Sequence, residues 1–265
     1  MSKELCDIIN GIDNNFVDDP DNPGEYISTG YFNSYCPYNK CDTDEKIVIS
    51  TFITLLKIFE DNDDEGDLKS DKIVEYVILW LSYRLNQKKE NGTTKLYDFY
   101  TNNIKKNKQY EENISTDSNK TINMGVIDTK IESMDIDIKD ISNFYDAFKS
   151  LCNMYNEIGA DNYECNKCFE NAGELFEKYE KLKNALGINK GSSYFQLLSN
   201  LSNDYKNFEQ LYNRACANSS PLVACPRSSV TKNILITIGI IFVATSILLG
   251  VSYKSSDYSM NSNNG

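Results

Sequence analysis

The sequence predicts an all-α protein: a helical bundle with a loop-rich, cysteine-containing N-terminus, followed by one C-terminal transmembrane helix. Three observations support this prediction. No proline occurs between residues 38 and 220, so nothing in that stretch forbids long helices. Apolar residues recur there with a period of about 3.6 residues, as in amphipathic helices. Residues 234–253 include no charged side chain, and at about 1.5 Å per residue they would cross the roughly 30 Å hydrocarbon core of a bilayer.

The first 42 residues are predicted to form loops. They contain three of the five prolines and three of the eight cysteines, and proline interrupts helices. At most one short helix fits before the prolines, because apolar residues share a face only at the start of the chain. That face would carry Leu5, Ile8 and Ile12.

Six segments between residues 43 and 216 show the helical period. The second is apolar nearly all round, which predicts a central buried helix capped by Ser70, with Trp80 as its core anchor. In the fourth, Ile136 and Ile138 alternate as in a strand, but the longer helical spacing favours one continuous helix. The segments are Asp44 to Phe59, Asp71 to Gln87, Lys95 to about Glu112, Ile127 to Ile158, Asn166 to Asn184 and Ser193 to Arg214.

Polar stretches divide the chain further. Residues 113–123 are predicted to be a mobile linker, and residues 217–233, with two prolines, a juxtamembrane stalk. The resulting division is a loop-rich segment at 1–42, a helical bundle at 43–216, the stalk at 217–233, the transmembrane helix at 234–253 and a short polar tail at 254–265.

The charge pattern argues against nucleic-acid binding and against most enzymes. Asp and Glu total 39 against 27 Lys and Arg, giving a net charge of −12, whereas a nucleic-acid surface needs a basic excess. Histidine is absent, which removes triads of the Ser-His-Asp type and histidine-based metal sites. No spacing selects a pair of carboxylates for acid–base catalysis. We therefore expect no catalytic residue, cofactor or metal.

All eight cysteines precede the predicted span. An even number of cysteines on one side of a membrane favours disulfides in an oxidising compartment over buried thiols in the cytosol. The sequence does not select a pairing among them. The expected disulfide cysteines are Cys6, Cys36, Cys41, Cys152, Cys165, Cys168, Cys216 and Cys225.

Three further motifs carry little weight. The acidic run at 60–67 begins like a calcium-binding loop, but the twelfth position, which should be glutamate, is Lys72, so a solvated loop is favoured. The spacing of Cys165 and Cys168 fits half a zinc site, but no second close pair accompanies it, so both are assigned to disulfides. Asn-x-Ser/Thr sequons occur as often as chance predicts in so polar a chain. They begin at Asn91, Asn113, Asn119, Asn200 and Asn218.

Several stretches resemble the PIR family (Plasmodium interspersed repeat) of malaria parasites. They include EYVILWLSYRLN at 75–86, FYDAFKSLCNMY at 144–155, CNKCFENAGELFEKYEKL at 165–182 and ILLGVSYK at 247–254. They follow the family's order over most of the chain. Members usually continue with a basic tail, whereas residues 255–265 here are polar and carry only one charge.

The resemblance implies a variant surface antigen with an α-helical ectodomain, a single membrane span and no catalysis. Display in or on the infected erythrocyte, antigenic variation, immune evasion and contact with a host surface molecule or antibody are then expected, with residues 60–67 and 113–123 as variable surfaces. The alternative is a tail-anchored helical scaffold or tether in an intracellular membrane, with reduced cysteines. Two basic residues, Arg227 and Lys232, precede the span and one, Lys254, follows it. By the positive-inside rule this charge difference would place the N-terminal residues on the cytosolic side.

Overall fold

The computed structural model describes residues 1–16, 34–61, 70–87, 94–158, 170–185 and 191–216. Within these ranges the chain is helical and contains no strand, which confirms the all-α prediction. No helix in them is both long enough and apolar enough to cross a membrane. The predicted span at 234–253 lies outside the described residues.

The chain separates into two compact units, Met1–Asp146 and Ala147–Gly265. Helix α7 runs from the end of the first unit into the second. In chain order the helices are α1 (Lys3–Asn14), α2 (Asp44–Asp61), α3 (Ser70–Gln87), α4 (Leu96–Phe99), α5 (Lys108–Glu111), α6 (Met124–Ser133), α7 (Ile138–Ile158), α8 (Glu170–Asn184) and α9 (Gly191–Ala215).

Helix α3 is central to the first unit, and it packs against α2 and α6. Its side chains are buried almost all round, as expected for a helix with apolar residues on every face. Trp80, near its middle, exposes 0% of its surface.

Helix α1 is longer than the short helix predicted for the N-terminus. Ser2 caps it, since its hydroxyl oxygen accepts a hydrogen bond from the backbone N–H of Leu5 at 3.2 Å. Its buried face includes Ile9, whereas Ile8 is only half-buried. The predicted face is therefore correct at Leu5 and Ile12 and wrong at Ile8, because the buried stripe also contains Asp13.

The third predicted helix is interrupted. A π-helical segment, Tyr100–Lys105, follows α4, and Asn107 then leaves the helical conformation to cap α5. Residues five apart share a face in a π-helix. Tyr100 and Lys105 consequently both reach Asp128 of α6, at 2.9 Å from the hydroxyl and 2.7 Å from the ammonium nitrogen.

The prediction of one continuous helix across residues 127–158 is wrong. Helix α6 ends at Ser133, and α7 begins at Ile138. Between them Ile136 is buried, and the backbone N–H of Ile138 donates a hydrogen bond to the carbonyl of Thr94 at 2.8 Å. Because Asp137 forms an isolated antiparallel bridge with Lys95, the strand-like alternation was the better local signal.

Residues 113–123 are packed at both ends into the first unit, to which they belong, unlike the mobile linker predicted. Ile114 and Ile122 are buried, and the N–H of Met124 donates to the carbonyl of Ser115 at 2.8 Å. The Lys120 ammonium lies 3.3 Å from a carboxylate oxygen of Glu60 in α2. Burial opposes ionisation of Glu60, but hydrogen bonds from Lys57 and Lys120 outweigh it and lower the pKa of that carboxyl.

The described part of the second unit consists of the end of α7 together with α8 and α9. Tyr155 of α7 meets Phe208 of α9 edge to face, with ring centroids 5.0 Å apart. At the start of α9 the hydroxyl of Tyr194 donates to the backbone carbonyl of Leu182 at 2.8 Å. The bounds of α9 extend the predicted segment by two residues at its start and one at its end.

Candidate functional site

A disulfide closes a small loop at residues 36–41, just before α2. Cys36 and Cys41 are bonded to each other, and the residues between them begin with a 3₁₀ turn at Pro37–Asn39. The N–H of Lys40 donates back to the carbonyl of Pro37 at 3.1 Å. The loop therefore has a covalent closure and an internal hydrogen bond, which together restrict its conformations.

The base of this Cys36–Cys41 loop is fixed to helix α2. The N–H of Tyr35 donates to the hydroxyl of Ser50, which is buried in α2. On the other side, the N–H of Lys46 donates to Thr43, and the side chain of Lys46 binds Asp42. That hydrogen bond lowers the pKa of the Asp42 carboxyl. Both ends of the loop are thus held by the first turns of α2.

Tyr38 projects from the loop. It exposes 89% of its surface, the most among the large hydrophobic side chains that the structure describes. Its φ of 56° and ψ of 27° lie in the left-handed region, which is unfavourable for a residue other than glycine. An exposed aromatic side chain held on a constrained loop loses little entropy on binding and can contact a partner through ring and hydroxyl. This loop is the candidate interaction site.

Replacing Tyr38 with asparagine should leave the free energy of unfolding within about 0.5 kcal/mol of the wild type, because the lost side chain packs little and asparagine tolerates the left-handed region. Urea unfolding measures this. The matched control is Tyr100→Ala, which removes a buried ring and should cost about 3–5 kcal/mol. A loss at Tyr38 as large as that of the control would show that Tyr38 is a packing residue.

Beneath the surface of the first unit lies a buried polar cluster around Asp13. One carboxylate oxygen accepts hydrogen bonds from the Arg84 guanidinium at 2.6 Å and from the Trp80 indole N–H at 3.0 Å. The other accepts from the hydroxyl of Tyr145 at 2.8 Å. The cluster therefore ties α1 to α3 and to the start of α7.

Aromatic rings surround the Arg84 guanidinium in this Asp13 cluster. Its carbon lies 4.6 Å from the ring centroid of Phe16, and Phe16 meets Trp80 edge to face at 5.4 Å. Cation–π contacts and the carboxylate together offset the cost of burying the charge. Sequence reasoning missed this cluster, although a lone arginine inside the apolar helix α3 was a signal for a buried partner. Both charges are buried, so we assign the cluster a structural role.

Alkaline pH should destabilise the fold through buried tyrosines. Burial raises their pKa in the native state, while in the unfolded chain they ionise near pH 10. Above that pH the native state binds more protons, so the free energy of unfolding falls as pH rises. Tyrosinate absorbance from these residues should appear only as helical circular dichroism is lost; ionisation in a fully helical protein would contradict this. The residues are Tyr100, Tyr110, Tyr145, Tyr155 and Tyr205.

Among the residues that the structure describes, the arrangement closest to a nucleophile with a base lies in the second unit. The Lys178 ammonium donates to the hydroxyl oxygen of Ser150 at 2.9 Å, and that hydroxyl lies 3.4 Å from Glu174. Ser150 exposes only 1% of its surface and sits within α7, so a substrate cannot reach its oxygen. Within the described ranges no three acidic, cysteine or histidine side chains are grouped as metal ligands.

The predicted disulfide cysteines are only partly described. Besides the Cys36–Cys41 pair, Cys6, Cys152 and Cys216 are disulfide-bonded. Cys165, Cys168 and Cys225 lie outside the described residues, as does most of the acidic run at 60–67. The involvement of those three cysteines stays a prediction.

Comparison with known proteins gives matches to one protein family and to solved structures. The model of the family described as Plasmodium variant antigen protein Cir/Yir/Bir matches residues 6–254. A solved structure, that of a Plasmodium PIR protein ectodomain, is 35% identical, with a TM-score of 0.63 over 83% of this chain and 95% of the solved one. A search of curated proteins gave no match.

Proposed function

Since this chain belongs to the Plasmodium variant antigen family Cir/Yir/Bir, we propose that it is a membrane-anchored surface antigen that contacts host molecules through exposed loops. Family membership confirms the resemblance found in the sequence, and it supports a variant antigen role. Immune evasion, receptor contact and placement in or on the infected erythrocyte are parts of the proposal. No catalysis is included in it.

The observation that carries this proposal is the contrast between the buried core and the exposed loops. The Asp13 cluster and the apolar helix α3 stabilise the first unit, so substitutions there lower its free energy of unfolding. Residues 116–121 and Tyr38 are exposed, and they contribute little packing. Antigenic change can therefore accumulate in those loops without loss of the fold.

Two features of the sequence support display of the residues that precede the predicted span on the outer side of the membrane. The uncharged stretch 234–253 would anchor the chain, and all eight cysteines precede it. Disulfides persist in oxidising compartments, and Cys6, Cys36, Cys41, Cys152 and Cys216 are disulfide-bonded. We infer that the N-terminal residues face the oxidising side and the tail at 254–265 the other side.

Antibody staining of infected erythrocytes tests this placement. An antibody against the folded N-terminal part should stain intact cells. The matched control is an antibody against the tail at 254–265, which should stain only after permeabilisation. If the N-terminal antibody also required permeabilisation, surface display would be wrong, although family membership would stand.

The alternative is a tail-anchored scaffold or tether facing the cytosol. The basic residues Arg227 and Lys232 before the span, against Lys254 after it, favour this orientation by the positive-inside rule. Thiol alkylation of the denatured, unreduced protein discriminates between the two functions. Eight alkylated cysteines would support the scaffold, whereas protected thiols would support display.

A further inference from the structure

Three of the five sequons fall on described residues, and the fold presents them differently. They begin at Asn113, Asn119 and Asn200. Transfer of a sugar to such an asparagine requires that its amide and the hydroxyl two residues later reach the enzyme together. The surroundings of each sequon therefore determine which one can react in the folded protein.

Asn200 lies in the middle of α9. It is half-buried, and its amide oxygen accepts a hydrogen bond from the side chain of Gln196 at 3.0 Å. The hydroxyl-bearing residue of this sequon, Ser202, exposes 0% of its surface. The helix would have to open locally before this sequon could enter an active site.

Asn113 lies at the turn that follows α5. Its side-chain amide donates a hydrogen bond to the carbonyl of Gln109 at 2.6 Å. The next residue in the sequon, Ile114, is buried and anchors residues 113–123 to the first unit. Reaction at Asn113 would therefore require that Ile114 leave its packed position.

Asn119 is the exception. Asn119, Lys120 and Thr121 are all exposed, and they lie in a turn outside any helix. The side-chain amide of Asn119 donates only to the exposed carboxylate of Asp117, at 2.9 Å, among the contacts described for it. The turn is held against the first unit by the buried side chain of Ile122 and by the ion pair between Lys120 and Glu60 of α2. The exposed side chains of the sequon therefore face solvent.

We propose that Asn119 is an N-glycosylation acceptor that the fold presents to an oligosaccharyltransferase. The co-substrate is a lipid-pyrophosphate-linked sugar. The amide nitrogen of Asn119 attacks the anomeric carbon, an N–C bond forms, and the C–O bond to the pyrophosphate breaks. The lipid pyrophosphate leaves with the electron pair, and the amide loses one proton. Modification in the cell rests on the proposed function, because the sequon must lie on the side of the membrane where the oligosaccharyltransferase acts.

The test uses the purified full chain in detergent with its disulfides intact. It is incubated with an oligosaccharyltransferase and a lipid-linked oligosaccharide, and occupancy at each sequon is measured by peptide mass spectrometry. On the folded chain the rate at Asn119 should exceed those at Asn113 and Asn200 by roughly tenfold or more, which corresponds to an opening cost of about 1.4 kcal/mol for those two. After reduction and denaturation this difference should disappear.

Thr121→Ala is the matched variant, since it removes the hydroxyl and keeps the contact between Asn119 and Asp117. It should abolish modification at Asn119 while the helical circular dichroism stays unchanged. Equal rates at the three sites on the folded chain, or an unmodified Asn119, would overturn the proposal. Because this assay does not depend on membrane orientation, its failure is distinct from failure of the staining experiment.

Discussion

Replacing Asp13 with alanine is expected to lower the free energy of unfolding of the first unit by about 3–5 kcal/mol, the usual cost of removing one partner of a buried ion pair. The substitution would leave the Arg84 guanidinium buried without its carboxylate. It would also take away the acceptor of the Trp80 indole N–H and of the Tyr145 hydroxyl. The loss should therefore exceed that of a single hydrogen bond, which is about 1 kcal/mol.

Urea unfolding followed by tryptophan fluorescence measures this effect directly, because Trp80 is the single tryptophan and contacts Asp13. The matched control is Asp7→Ala on the same helix. Asp7 is exposed and pairs with exposed Lys3, so its loss should change the free energy by no more than about 0.5 kcal/mol. Similar effects of the two substitutions would contradict a structural role for the Asp13 cluster.

A double substitution separates the unpaired charge from lost packing. Changing Arg84 to methionine in the Asp13→Ala protein removes the uncompensated charge and keeps an apolar side chain beside Phe16. If desolvation of the guanidinium causes most of the loss, the double variant should be more stable than Asp13→Ala alone. No recovery would mean that the loss comes from packing and hydrogen bonds.

Replacing Trp80 with alanine should also cost about 3–5 kcal/mol, since it empties the largest fully buried side-chain position of α3. The indole ring contacts Phe16 edge to face and lies beside the Arg84 guanidinium. The resulting cavity would remove packing from both neighbours. Unfolding must be followed by far-ultraviolet circular dichroism here, because the variant has no tryptophan.

Trp80→Phe is the control for this prediction. It keeps an aromatic ring but loses one of the hydrogen bonds to Asp13, whose oxygen still accepts from Arg84, and we expect a cost of about 1.5–3 kcal/mol, as for a hydrogen bond to a charged group. A loss for Trp80→Ala that does not exceed the loss for Trp80→Phe would show that the hydrogen bond, and not ring packing, dominates at this position.

Helices with strong periodic patterns were predictable to within a few residues. Helix α2 begins at Asp44 as expected and ends two residues later than predicted, and α3 ends at Gln87 as predicted. In these segments the pattern of apolar side chains alone selects the helix and its buried face. For α1 the apolar spacing predicted the burial of Leu5 and Ile12, but it gave neither the burial of Asp13 nor the full length of the helix.

The break between α6 and α7 could not be predicted in the same way. Apolar spacing continues across residues 134–137 without a proline or glycine to end the helix. Between the two helices, Asp137 forms a bridge with Lys95, and the N–H of Ile138 donates to the carbonyl of Thr94. Such pairing depends on a segment distant in the chain, which local periodicity does not report.

The sequence by itself determined the helical class and the position of the uncharged stretch at 234–253, because composition and periodicity record how much apolar surface each segment must bury. Its motifs, and not its periodicity, carried the resemblance to the family. Only the tertiary structure decided the Asp13 cluster, whose partners lie 67, 71 and 132 residues from Asp13. It also decided which described sequon is exposed. Both depend on which side chains folding brings together, and a buried charge is stable only where those partners surround it.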